Sequence, residues 1–173
     1  ALACISYQDV VPAYYEYALK EKYTRSEENK GAGGFVGIMR TIACVGDSIT
    51  YGQGVLGARK TSTYTALLAE KTGATVVNYG LSNRTLLSDG NFPYTNEHHY
   101  ADSLAEDADI VILMLGSNDS KPTFWDKEQF TEEYREFIKS YMNMTSSPEV
   151  YVMIPTAIYV EQDGGNCDDA TVG

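Results

Sequence analysis

Residues 42–55 read IACVGDSITYGQGV, and this stretch runs an apolar segment directly into Gly46, Asp47 and Ser48. Consecutive apolar residues, without strict alternation, are what a strand covered on both faces requires, and such strands belong to parallel sheets sandwiched between helices. The segment then ends by presenting a glycine, an acid and a hydroxyl. The glycine is expected to let the backbone turn tightly, so that Ser48 projects beyond the strand end.

Three further segments share the character of TIACV (41–45): TVVNY (75–79), IVILML (110–115) and VYVMIP (150–155). Between the last two lies DKEQFTEEYREFIKSYM (126–142), in which Phe130, Tyr134, Phe137, Ile138 and Tyr141 form one apolar helical stripe. Strands alternating with helices predict a parallel α/β layer fold, in which ligands bind beyond the carboxyl ends of the strands. VYVMIP is as apolar as the central strands, and a segment that covers its outer edge is therefore expected.

Three strand ends carry polar loops on what is then one edge of the sheet: GDSIT with Ser48, NYGLSN with Gly80, and LGSNDS with Asn118. Acyl transfer uses such a trio. A serine hydroxyl attacks a carbonyl, and the developing oxyanion needs preorganised donors. The Ser48 N–H, the Gly80 N–H and the Asn118 carboxamide are candidates for those donors. Taken singly, each has a structural reading: Gly-Asp-Ser as a turn with a helix cap, Gly80 as a left-handed turn residue, and Asn118-Asp119 as a cap for the next helix. Their conjunction at three successive strand ends favours the chemical reading.

At these residues the chain resembles the SGNH (GDSL) hydrolases. VGDSITYGQG, VVNYGLS and VILMLGSNDSKP resemble the first three blocks of that family, and the resemblance covers roughly residues 40–160. It implies a flavodoxin-like three-layer α/β/α sandwich with a parallel sheet of about five strands. It also implies Ser48 as nucleophile and N–H donor, Gly80 as backbone donor and Asn118 as side-chain donor. LGSNDSKPTFW further resembles the branch of carbohydrate esterases and sialate O-acetylesterase-like enzymes. The chemistry so implied is hydrolysis of small acyl esters, acetyl on carbohydrate foremost, through an acyl-enzyme and without metal or cofactor.

The family's last block, Asp-x-x-His, supplies the orienting acid and the base, and it occurs nowhere in these 173 residues. The domain is thus expected to be incomplete at its C-terminal end, after GGNCDDATVG (164–173). The two histidines, His98 and His99, sit in the aromatic-rich NFPYTNEHHYADS and read as surface or substrate-lining residues, because nothing in their spacing brings an imidazole to the serine. Asp168 and Asp169 lack a following histidine and read as solvated loop acids. GQGVLG (52–57) matches a dinucleotide pattern but does not begin at the strand end. Cys44, inside a strand and without basic neighbours, reads as an inert core thiol.

Composition narrows the partners. With 24 acidic against 13 basic residues the formal charge is −11, which opposes a nucleic-acid partner. Three cysteines without ligand spacing indicate neither a disulfide framework nor a zinc site. No apolar run approaches the ~20 residues of a membrane span, so a soluble chain is expected. The opening ALAC fits either the end of a secretory signal or a plain sequence boundary, which leaves cytoplasmic and secreted locations both open. Tyr14, Tyr17, Ala18 and Tyr23 among charges read as an amphipathic helix before the glycine cluster GAGG (31–34). Residues 1–38 are accordingly expected to be a helical appendage or linker, and residues 39–173 the hydrolase domain. Two rival readings stay open: a non-catalytic module on the same fold, and an esterase or thioesterase for lipid acyl chains. Oligomeric state is not legible.

Overall fold

A computed structural model describes residues 40–155 except 122 and 124, together with the backbone of Cys4–Ile5. The expected helix around Tyr14–Tyr23 and the acids Asp168 and Asp169 lie outside the described residues.

Four strands form the body of an all-parallel sheet, and a two-residue strand extends it. In chain order they are β1 (Cys4–Ile5), β2 (Thr41–Gly46), β3 (Thr75–Gly80), β4 (Ile110–Met114) and β5 (Glu149–Met153). The lateral order is β1-β5-β4-β2-β3. From β2 onward the order is that of the flavodoxin-like doubly wound fold, in which the first strand lies between the second and the third. The strands fall within a residue or two of the segments read from the sequence. The outer edge of β5 has a partner, but it comes from the N-terminal side: Cys4 pairs with Val152 and Ile5 with Met153.

Alternate residues of the central strands feed two cores. Ala43, Val45, Val111 and Leu113 pack on one face with Tyr94, Phe137 and Tyr141, and Ile42, Cys44, Ile110 and Ile112 pack on the other with Leu68 and Met153. Each fully buried aliphatic side chain contributes about 1.5–3 kcal/mol, so the central pair of strands anchors the fold. The covering helices are α1 (Ser48–Tyr51), α2 (Arg59–Ser62), α3 (Tyr64–Thr72), α4 (His98–Ala105) and α5 (Lys127–Met142). The apolar stripe of α5 faces the sheet, with Phe137, Ile138 and Tyr141 buried, and Asp126 caps it by accepting from the Gln129 N–H at 2.9 Å. Among the described residues no helix is long and apolar enough to cross a membrane.

Candidate active site

The parallel register brings the strand ends together. Gly46 at the end of β2 lies opposite Gly80 of β3 on one side and Met114 of β4 on the other. The chain from β2 goes first to one neighbour and later to the other, so the gap between the β2 and β4 loops is the topological switch point where ligands of such sheets bind. The loops at that gap are those of Ser48 and Asn118.

Ser48 opens α1 and is half-buried. Asp47 caps the turn, accepting from the Ile49 N–H at 2.9 Å. The Ser48 N–H itself has no partner among the described residues. At the other end Gly52 adopts a left-handed φ of 88°, and the Arg59 Nε donates to the Tyr51 carbonyl at 2.6 Å. A turn of four residues is thus held at both ends by side chains from outside it.

Gly46 has a different task from the one expected. It is still paired within β2 and does not need a left-handed conformation; what it needs is space, because a Cβ there would lie 2.2 Å from the Thr50 hydroxyl and 2.6 Å from the Met114 carbonyl. Gly80 is similar. A Cβ on it would lie 2.2 Å from the backbone nitrogen of Tyr51, so α1 sits directly on the end of β3. The Gly80 N–H, expected to point at an oxyanion, instead donates to Asn78 Oδ1 at 2.9 Å. That correction follows from Asn78, whose Nδ2 also donates to the Thr50 carbonyl at 2.7 Å and to Thr65 Oγ1 at 3.0 Å. One carboxamide fastens α1, α3 and the end of β3. In the loop beyond, Asn83 takes a left-handed φ of 66°, and the N–H groups of Ser82, Asn83 and Arg84 have no partner among the described residues.

Asn118 follows Gly116, whose φ of 129° requires a glycine. Its Nδ2 donates to the Arg84 carbonyl at 2.9 Å and lies 3.5 Å from Asp47 Oδ2. The carboxamide is therefore tethered between the loop after β3 and the residue preceding Ser48. Next to it, the buried Asp119 accepts from the Leu86 and Leu87 N–H groups at 3.1 and 2.8 Å. Burial pushes the Asp119 carboxyl up to about 6, against those two bonds, and the nearby Asp47 charge adds to the rise. Asp47 is raised as well, also by burial, opposed by the Ile49 N–H that it accepts from and by the nearby Ser117 side chain.

His98 and His99 open α4, the first exposed and the second half-buried, and neither forms a hydrogen bond to Ser48. Cys44 is fully buried, and burial holds its thiol up at about 12, far from a thiolate nucleophile. Among the described residues no cluster of ligand side chains is arranged for a metal ion. Sequence reading missed Asn78, Asp47 and Asp119 as builders of the site. Asn78 alone leaves a trace in the sequence, as the one strongly polar residue in the strand-like run TVVNY.

A family model described as the GDSL-like Lipase/Acylhydrolase family matches residues 44–171. An acetylxylan esterase of Xylanibacter ruminicola is 43% identical over 97 residues, which are 55% of this chain and 19% of that protein. The chain thus spans about a fifth of that relative. Among solved structures, a family two carbohydrate esterase from Clostridium thermocellum, in complex with cellohexaose, aligns with a TM-score of 0.57 at 21% identity, covering 70% of this chain and 44% of that one. A carbohydrate acetylesterase from Sinorhizobium meliloti aligns with a TM-score of 0.56 at 20% identity, covering 76% and 74%. At such identities these two show the shared fold. With the family model reaching across most of the chain, from the strand that delivers Ser48 through the loop that holds Asn118, the protein belongs to the GDSL-like lipase/acylhydrolase family.

Proposed function

We propose that the protein is a serine ester hydrolase that removes small acyl groups, acetyl foremost, from carbohydrate. The observation that carries this reading is the tethering of the Asn118 carboxamide between Arg84 and Asp47, at the sheet edge where the next residue is Ser48. The name of the Xylanibacter relative and those of the structural neighbours support acetyl and carbohydrate as the substrate class.

In the proposed reaction the Ser48 Oγ attacks the ester carbonyl while its proton passes to a histidine base. The carbonyl oxygen becomes an oxyanion held by the Ser48 N–H and the Asn118 Nδ2, and a backbone N–H of the 82–84 turn takes the place first assigned to Gly80. Collapse expels the sugar hydroxyl, protonated by the imidazolium, and leaves acyl-Ser48. Water, deprotonated by the same base, then releases the acid. Since His98 and His99 make no bond to Ser48, we place the Asp-His pair outside these 173 residues.

The test uses the natural protein that carries this chain, with p-nitrophenyl acetate and acetylated xylo-oligosaccharides. Ser48→Ala is expected to abolish turnover. Asn118→Ala is expected to lower kcat by about 100- to 1000-fold with KM little changed, the usual result of losing one oxyanion donor. A change confined to KM would make Asn118 a binding residue instead. Faster turnover of longer acyl chains than of acetyl would move the substrate to lipid.

A further inference from the structure

Asp47 is wholly buried, although it is ionisable and adjoins the serine. Burying a carboxyl costs several kcal/mol unless its oxygens find donors, so its surroundings say what it is for. They are divided between two loops. Oδ1 accepts from the Ile49 N–H at 2.9 Å, within the turn that carries Ser48. Oδ2 lies 3.5 Å from the Asn118 Nδ2, and the Ser117 side chain is close enough to favour the charged carboxyl. Asn118 is fixed more firmly on its other side, at 2.9 Å from the Arg84 carbonyl.

We propose that Asp47 is a positioning residue that sets the Ser48 turn and the rotation of the Asn118 carboxamide in one rigid frame. The cap alone would need only one oxygen. The second oxygen faces the nitrogen that the proposed mechanism directs at the oxyanion, and at 3.5 Å the contact is long enough for that nitrogen to exchange it for a shorter bond. A carboxylate shared by two loops thus aligns nucleophile and donor before substrate arrives, and misalignment of about 1 Å at such a site is worth roughly 100-fold in rate. The kinetic consequence rests on the ester-hydrolase reading; the structural one does not.

Asp47→Asn separates the two tasks, because its Oδ1 still accepts from Ile49 while its amide cannot accept from Asn118. In the natural protein this variant is expected to lose about 10- to 100-fold in kcat, with KM within about twofold and a melting temperature at neutral pH that does not fall. Ser117→Ala, a milder disturbance of the same carboxyl, is expected to show a smaller loss of the same kind, and it serves if Asp47→Asn fails to fold. In ¹⁵N-labelled protein the side-chain amide resonances of Asn118, assigned by their loss in Asn118→Ser, are expected to shift in both variants. Wild-type kcat in both variants, or a loss confined to KM, would overturn the positioning role. If the wild-type protein shows no Ser48-dependent hydrolysis, it is the esterase reading that fails. The Asn118 resonances then decide the inference alone: a shift supports it, and unchanged resonances overturn it.

Discussion

At the scale of the residue, the site is built by close approach as much as by functional groups. Gly80 is informative, because it was read as a donor and turns out to be the place where α1 touches the sheet. A methyl group there would meet the Tyr51 backbone nitrogen at 2.2 Å, and backbone cannot rotate away as a flexible side chain can. Gly80→Ala is therefore expected to destabilise the fold by about 1–3 kcal/mol, read as a lower urea midpoint with an unchanged slope. Gly54, around whose added Cβ nothing lies within 4 Å, is the control, and Gly54→Ala is expected to leave the midpoint in place or raise it slightly. Equal midpoints for the two variants would show that α1 gives way easily, and the rigid placement of Ser48 would then need another source.

At the scale of the element, the loops after β3 and β4 are joined by one buried acid. Asp119 receives the Leu86 and Leu87 N–H groups, so the segment that carries Asn118 cannot move without the segment that carries Arg84. The same acid makes stability depend on pH. Its carboxyl titrates near 6 in the folded protein and near 3.8 when unfolded, so between those values the native state holds more protons. Stability then falls as pH rises through that window and levels off above it, by about 1 kcal/mol between pH 5 and pH 7 from Asp119 alone. Asp47, raised by burial, acts in the same direction. Melting temperatures are expected to be higher at pH 5 than at pH 7, and Asp119→Asn is expected to reduce that difference. A melting temperature that rises with pH would refute it. Sequence pattern was enough to locate β2 through β5 and the buried stripe of α5, because continuous apolar runs and helical spacing are local signals. The hydrogen bond from Gly80 to Asn78 was not legible, since Asn78 lies in a strand-like run and its partners Thr50 and Thr65 stand 28 and 13 residues away. Gly46 misled for a related reason. A glycine required by a tight contact looks, in sequence, the same as one required by a turn.

At the scale of the whole molecule, the question is whether this chain alone can complete the reaction that its strand ends prepare. A serine hydroxyl at its ordinary pKa is a weak nucleophile, and it needs a base within hydrogen-bond reach. Ser48 has its turn, its N–H and the tethered Asn118, but the chain holds two histidines, and neither is bonded to it. His98 is exposed and His99 half-buried at the start of α4, next to the Glu97 that pairs with Arg84 at 2.8 Å. The two buried carboxylates of the site are no substitute. Asp47 is engaged with the Ile49 N–H and faces the Asn118 carboxamide, and Asp119 is engaged with two backbone amides. Oxyanion donors without a base speed acyl transfer only by stabilising a charge that seldom forms, because the attacking oxygen keeps its proton. The 173-residue chain is therefore expected to hydrolyse p-nitrophenyl acetate no faster than its Ser48→Ala variant, measured side by side at pH 7 to 8, where an imidazole base would be neutral. Clear Ser48-dependent turnover by the chain alone would overturn this. His98→Ala, His99→Ala and the dependence of rate on protein concentration would then identify the base, the last because a base lent by a second copy makes specific activity rise with concentration.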